Sequence, residues 1–230
     1  MDGILLIDKP SGWTSFDVVN RVRRLVETST VRVGGKKRFP VGHTGTLDPL
    51  ATGLLVLLLG KYTKRAMDMT KLDKTYEITM CLGITSTTGD GEGEKESVSD
   101  TIPTLSEIQD VMLKFTGGIM QTPPIFSAIK VNGQRAYKLA REGKPVELAA
   151  RPVHIYSISI EKYEYPLVYF TASVSSGTYI RSLVEDAGKS LGTGAYMQAL
   201  RRTQVGDFLI EDAHKTDQLN FEMIQEFIRE

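Results

Sequence analysis

Apolar positions along the chain gather into short runs, each bounded by turn-forming residues. Gly3–Ile7 is a continuous apolar run closed by Asp8-Lys9-Pro10, the pattern of a buried strand ending in a turn. Beyond Ser15, a residue suited to capping a helix, Val18, Val19, Val22, Leu25 and Val26 return at helical spacing. Periodicity fades over residues 28–50, which are basic and glycine-containing and predict a long loop of the kind that carries function or moves. Leu54–Leu59 predicts a buried strand, and Thr75–Leu82, loosely alternating, predicts another. Gly83–Pro103 is a polar connection, and Leu105–Leu113 is a short amphipathic helix. Val153–Tyr163 and Val168–Ser175 read as two strands joined near Pro166. Thr178–Leu191 reads as a helix with Gly192 just past its end, and residues 220–229 as a short final helix. Strands are numerous and helices are interspersed rather than strictly alternating. The expected class is therefore α+β, with a mixed, mainly antiparallel central sheet flanked by helices and loops.

Composition narrows the function classes. The chain has 230 residues, 41% hydrophobic and 24% charged, the make-up of a globular protein. Its longest apolar run is far too short to span a bilayer, so no membrane role is expected. The start of the chain has no basic region or small-residue cleavage site, which argues against secretion and for a cytoplasmic protein. A single cysteine, Cys81, excludes an internal disulfide framework, and His43, His154 and His214 lack metal-ligand spacing. Neither metal nor cofactor is expected.

Lys+Arg and Asp+Glu both number 28, so the net charge of zero gives no global sign of a nucleic-acid partner. Local sign tells more. Residues 1–75 carry net +6 and residues 121–151 net +4, whereas residues 76–120 carry −6 and residues 207–230 −5. The positive excess surrounds the segments with the most unusual sequence.

The densest of these is Val41-Gly42-His43-Thr44-Gly45-Thr46-Leu47-Asp48-Pro49-Leu50-Ala51-Thr52-Gly53-Leu54-Leu55. Its glycines permit tight backbone geometry and the close approach of a ligand. Asp48 precedes a proline, which biases it toward an extended conformation. A carboxylate on a rigid loop before a buried strand suits a nucleophile or base, although capping a turn is the commoner task of Asp-Pro.

This segment resembles the catalytic motif of the TruB family, the tRNA pseudouridine-55 synthases. Further blocks follow in the family's order. They are Lys74-Thr75-Tyr76-Glu77; Gln121-Thr122-Pro123-Pro124 with Ser127-Ala128-Ile129-Lys130-Val131-Asn132-Gly133; Ser176-Gly177-Thr178-Tyr179-Ile180-Arg181-Ser182-Leu183; and Leu200-Arg201-Arg202-Thr203. The resemblance covers residue 3 to about residue 208.

It implies a cofactor-free isomerisation. A uridine in the tRNA T loop is flipped out, its N-glycosidic bond is broken, the uracil is rotated, and the bond is rejoined through carbon. Residue by residue, it implies that Asp48 is the nucleophile or base and that Arg181 pairs with it, favouring and orienting the charged carboxylate. Tyr76 stacks on the uracil. Leu183 and Leu200 line the pocket, with Tyr179 and Lys64 near the flipped nucleotide. His43 enters the RNA loop and takes over stacking there.

The basic segment 121–151 matches an insertion that folds over bound RNA, with Lys130, Arg135, Lys138, Arg141, Lys144 and Arg151 meeting phosphates. Arg21, Arg23, Arg24, Lys36, Lys37 and Arg38 extend that face, and the acidic stretch Gly89–Asp100 lies away from it. The partner implied is the T arm of tRNA, for a monomer with no obligate protein partner. The expected organisation is a single catalytic domain over 1–230 without the PUA domain that commonly follows in the family. The rival readings are an RNA-guided synthase of ribosomal RNA and a tRNA-folding helper.

Overall fold

The computed structural model describes residues 1–29, 38–127, 129–131 and 133–229, without the side chains of Lys130, Tyr137 and Arg141. In chain order, β1 (Gly3–Lys9), α1 (Ser15–Ser29), β2 (Val41–His43) and β3 (Thr52–Leu59) lead through a 3-10 turn (Gly60–Arg65) and α2 (Ala66–Met69) to β4 (Lys74–Leu82). There follow β5 (Ile84–Ser86), β6 (Lys95–Ser97), α3 (Leu105–Lys114), β7 (Gly117–Gln121), β8 (Lys130–Val131), β9 (Gln134–Arg135) and α4 (Ala136–Arg141). The chain closes with β10 (Arg151–Glu164), β11 (Leu167–Val174), α5 (Ile180–Ser190), β12 (Ala195–Val205), β13 (Phe208–Leu209), β14 (His214–Lys215) and α6 (Phe221–Phe227). Among the described residues no helix is long and apolar enough to cross a membrane.

The chain divides into two compact units, one made of residues 1–76 and 200–230 and the other of residues 77–199. The divisions fall inside β4 and β12. In the first unit, β3 pairs antiparallel with β1 and β2 and parallel with β12 at Arg201 and Arg202, while β14 runs parallel to β1. The unbroken apolar run of β3 is explained by cover on both faces. Leu55, Leu57 and Leu59 join Leu5 and Ile7 against Val18, Val19, Val22 and Val26 of α1. The alternate residues Leu54, Val56 and Leu58 join Ile4 and Leu6 against Met69 and Val205. In the second unit, β10 pairs antiparallel with β7 and with β11. The alternate residues Val168, Phe170, Ala172 and Val174 of β11 are buried, as are Ile108 and Met112 of α3 and Leu183, Val184 and Ala187 of α5. Antiparallel pairing predominates and helices accompany the strands, as the pattern predicted.

Several details differ from the sequence expectation. The polar connection after β4 contains the β5–β6 hairpin, whose turn is held by Lys95 Nζ donating to the carbonyls of Gly91 and Gly93. The loop from 28 to 50 contains β2. An uninterrupted strand, β12, runs where no element was expected, because its polar residues, among them the buried Arg202, mask the apolar pattern. The final helix spans Phe221–Phe227 rather than 220–229: Asn220 caps it, and Arg229 exchanges backbone hydrogen bonds with Ile4, which draws the chain out straight.

Candidate active site

Asp48 stands, half-buried, between β2 and β3 in the first unit. The loop that carries it is held residue by residue. The Thr44 N–H donates to the carbonyl of Val56. The Gly45 carbonyl accepts from Arg202 Nη2 at 3.0 Å, and Arg202 Nε donates to the Leu54 carbonyl at 2.7 Å. Ser15 Oγ holds the backbone of Leu47. The Asp48 carbonyl accepts from the Ala51 N–H. The Pro49 carbonyl accepts from the Gly12 N–H at 2.9 Å and Lys9 Nζ at 3.3 Å, and the Leu50 carbonyl accepts from Ser11 Oγ at 3.2 Å. The turn after β1 and the strand β12 thus grip the loop from separate directions.

The cations in this grip are buried. Lys9 is 0% and Arg202 1% exposed, and each is surrounded by carbonyl acceptors that offset its desolvation. Lys9 Nζ also donates to the carbonyls of Pro10 and Trp13. Close packing of glycine backbone is part of the arrangement. Gly53 sits at φ +99°, where a β-carbon would lie 2.3 Å from the Arg202 carbonyl oxygen.

Lys74 is buried and donates to the carbonyls of Thr70 and Leu72. Burial first, then the charge of Arg202, lowers its pKa to about 8, with Asp73 opposing. His43 is held below the ordinary histidine range by burial first and Arg202 second. Its Nδ1 accepts from the Gly45 N–H at 3.3 Å, so this nitrogen is unprotonated and the ring is neutral at pH 7.

Tyr76 is buried on β4, Leu200 is half-buried on β12 with its carbonyl accepting from Thr52 Oγ1, and Lys64 is exposed on the 3-10 turn. The Leu200–Thr203 block acts as scaffold. Arg201 makes a two-pronged pair with Asp8 of β1 at 3.0 and 2.9 Å, Arg202 grips the loop, and Thr203 Oγ1 donates to the Thr75 carbonyl.

In the second unit, Arg181 opens α5 and is 6% exposed. Its guanidinium donates to the carbonyls of Thr88 at 3.1 Å and Phe126 at 2.8 Å and lies 3.7 Å from the Asp90 carboxylate. Asp90 is itself fixed by Thr88 Oγ1 and the Glu92 N–H. One member of the acidic stretch expected to lie apart is therefore buried against Arg181. Gln121 exchanges two hydrogen bonds with the backbone of Tyr179, and Ser182 Oγ donates to the Thr122 carbonyl. The entry to the basic segment is thereby bonded to the helix start that carries Tyr179, Arg181 and the buried Leu183.

Arg135, Lys138, Lys144 and Arg151 are exposed, as phosphate contacts require, and Lys144 pairs with Glu142 at 2.7 Å. The side chains of Lys130 and Arg141, and all of Lys36 and Lys37, lie outside the described residues. Arg21 and Arg23 are engaged within the protein, Arg21 with the Thr216 carbonyl and Arg23 with those of Phe39 and Val41. They tie elements together.

Sequence reasoning missed the supporting roles of Lys9, Ser15, Lys74, Asp90, Gln121 and Arg202. Lys74, Gln121 and Arg202 stand inside the quoted blocks, which was the signal available.

Comparison with known proteins gives the class. The profile of the TruB family pseudouridylate synthase N-terminal domain matches residues 32–180, and that of the tRNA pseudouridylate synthase B C-terminal domain matches residues 181–229. The chain belongs to the TruB family of pseudouridylate synthases. It is 44% identical over 228 residues to the tRNA pseudouridine synthase B of Clostridium novyi, covering 99% of this chain and 75% of that one. It is 45% identical over 222 residues to the protein of that name from Cupriavidus metallidurans, covering 95% and 67%. Among solved structures, a Cbf5-Nop10-Gar1 complex matches with a TM-score of 0.71 at 30% identity, over 97% of this chain and 56% of that one. An H/ACA RNP bound to a substrate RNA containing 2'-deoxyuridine matches with a TM-score of 0.69 at 27% identity, over 99% and 56%.

Proposed function

We infer that this chain is a tRNA pseudouridine synthase, converting a uridine of tRNA to its carbon-linked isomer. The target is a T-loop uridine, at position 55. The N1–C1' bond breaks, the uracil turns, C5 bonds to C1', and the C5 proton is lost as N1 regains one. Asp48 serves as nucleophile or base, with Arg181 as its counter-charge and Tyr76 as the stacking face. Leu183, Leu200, Tyr179 and Lys64 surround the flipped nucleotide. His43 fills the RNA loop, and Lys130, Arg135, Lys138, Arg141, Lys144 and Arg151 meet phosphate. A neutral His43 suits that task, because a stacking ring is more easily desolvated without charge.

The observation that carries the reading is the rigid presentation of Asp48. Hydrogen bonds fix Gly45, Leu47, Asp48, Pro49 and Leu50 in the backbone around one carboxylate. That is far more than a turn cap needs and is what oriented catalysis requires. The test is Asp48→Asn with an unmodified tRNA transcript, mapping pseudouridine and measuring binding. Turnover lost with binding retained supports the reading; full turnover overturns it.

The Cbf5 likeness raises an RNA-guided alternative. The relatives at 42–45% identity favour the tRNA reading, in which the chain works alone as a cytoplasmic monomer. Product formation by the chain alone on tRNA, without guide RNA or added protein, separates the two.

A further inference from the structure

Ser15 opens α1 but does not cap it. Capping is done by its neighbour. The Thr14 N–H and Oγ1 both donate to Asp17 Oδ2, at 2.9 and 2.6 Å, and Thr14 Oγ1 accepts from the Asp17 N–H at 3.1 Å. The Ser15 hydroxyl, on a residue 1% exposed, is turned elsewhere. It accepts from the Leu47 N–H at 2.8 Å and donates to the Leu47 carbonyl at 3.0 Å.

We propose that Ser15 is a positioning residue for the isomerisation, setting the direction in which the Asp48 side chain leaves the backbone. The Leu47 N–H belongs to the peptide plane before Leu47, and its carbonyl to the plane that also contains the Asp48 nitrogen. One hydroxyl bonded to both restrains φ and ψ of Leu47 together. Asp48 inherits its orientation from the second plane. The hydroxyl is shut away from water, so solvent does not compete for either bond. Leu47 is itself 3% exposed, so its buried side chain backs the same constraint. The other holds on this loop, from Arg202, Lys9, Gly12 and Ser11, act on Gly45, Pro49 and Leu50 and keep the loop in place when Ser15 is altered. Loss of the hydroxyl therefore loosens the aim of the carboxylate without dismantling the loop.

The proposal rests on Asp48 being the reacting group, so the test has one arm that needs activity and one that does not. Ser15→Ala is compared with wild type for single-turnover pseudouridine formation and affinity with an unmodified tRNA transcript, and for amide hydrogen exchange at Leu47 and Asp48. The expected result is a fall in rate of about 10- to 100-fold, the penalty for misplacing a reacting group by up to about 1 Å. RNA affinity stays within about twofold, and exchange at Leu47 accelerates while exchange in β1 and β3 does not. Ser15→Cys nearly matches the volume with a weak hydrogen-bonding group. It should fall between the two and serves in place of alanine if that variant does not fold. A rate within about twofold of wild type overturns the proposal, as does equal loss of rate and affinity or unchanged exchange at Leu47. If wild type itself forms no pseudouridine, the functional reading fails. The exchange arm still decides whether Ser15 holds Leu47, and unchanged exchange there overturns the positioning role independently.

Discussion

Lys74 gives the protein a measurable alkaline signature. Its pKa is lowered from 10.5 to about 8 in the fold, because burial and the charge of Arg202 disfavour its ammonium more than Asp73 favours it. Between those two values the unfolded chain binds a proton that the folded chain does not, so stability rises with pH across that window. Below pH 8 both states are charged and the folded state bears the full desolvation penalty. Above pH 10.5 both are neutral and the penalty is gone. Integrating the difference in bound protons from pH 7 to pH 10 gives a gain of roughly 2 kcal/mol from this residue. Lys74→Met removes the titration. The assay is urea unfolding of wild type and variant at pH 7 and pH 10, each analysed for the free energy in water. Cys81, Tyr163 and Tyr196 have raised pKa values and oppose the trend in both proteins, so they cancel in the comparison. Wild type should gain roughly 2 kcal/mol relative to the variant over this interval. A relative gain below about 0.5 kcal/mol would show that the ammonium is solvated or compensated, and the account of this cluster would fail.

Arg181→Lys keeps the charge but cannot serve the carbonyls of Thr88 and Phe126 and the Asp90 carboxylate together. Its catalytic rate should fall by at least about tenfold with tRNA affinity nearly unchanged, read from single-turnover kinetics, and an unaltered rate refutes its role. Thr104→Ala removes the capping box of α3, in which Thr104 and Glu107 satisfy each other's backbone donors. Stability should drop by about 1 kcal/mol, a fall of roughly 2–4 °C in calorimetric Tm. Its pseudouridine formation should equal wild type.

Much was legible in the chain itself because it lay in local pattern. The apolar run of β3, the alternation of β11 and the valine spacing of α1 each follow from one element facing one core. The chemistry was legible for a different reason: the residues proposed to act are gathered in short ordered blocks, and those blocks resemble a family. What eluded sequence reading were polar residues whose purpose is another segment's backbone. Ser15 looks like a cap because Ser before an apolar-periodic stretch usually is one, yet Thr14 takes that task and Ser15 serves Leu47. Arg202 and Lys74 look like surface cations and interrupt the pattern of β12 and β4, yet both are buried among carbonyls. Asp90 looks like part of a solvated acidic run, yet it lies beside Arg181.

The sequence by itself therefore determined the class of fold, the family and the carboxylate on which the proposed reaction turns. Apolar periodicity and ordered motifs are written along the chain. Only the tertiary structure decided how that carboxylate is aimed. The groups holding the loop before and after Asp48 come from β1, the turn after it, the start of α1 and β12, up to some 150 residues away. Hydrogen bonds between buried donors and distant carbonyls leave no periodic trace, because their partners become neighbours only when the chain has folded.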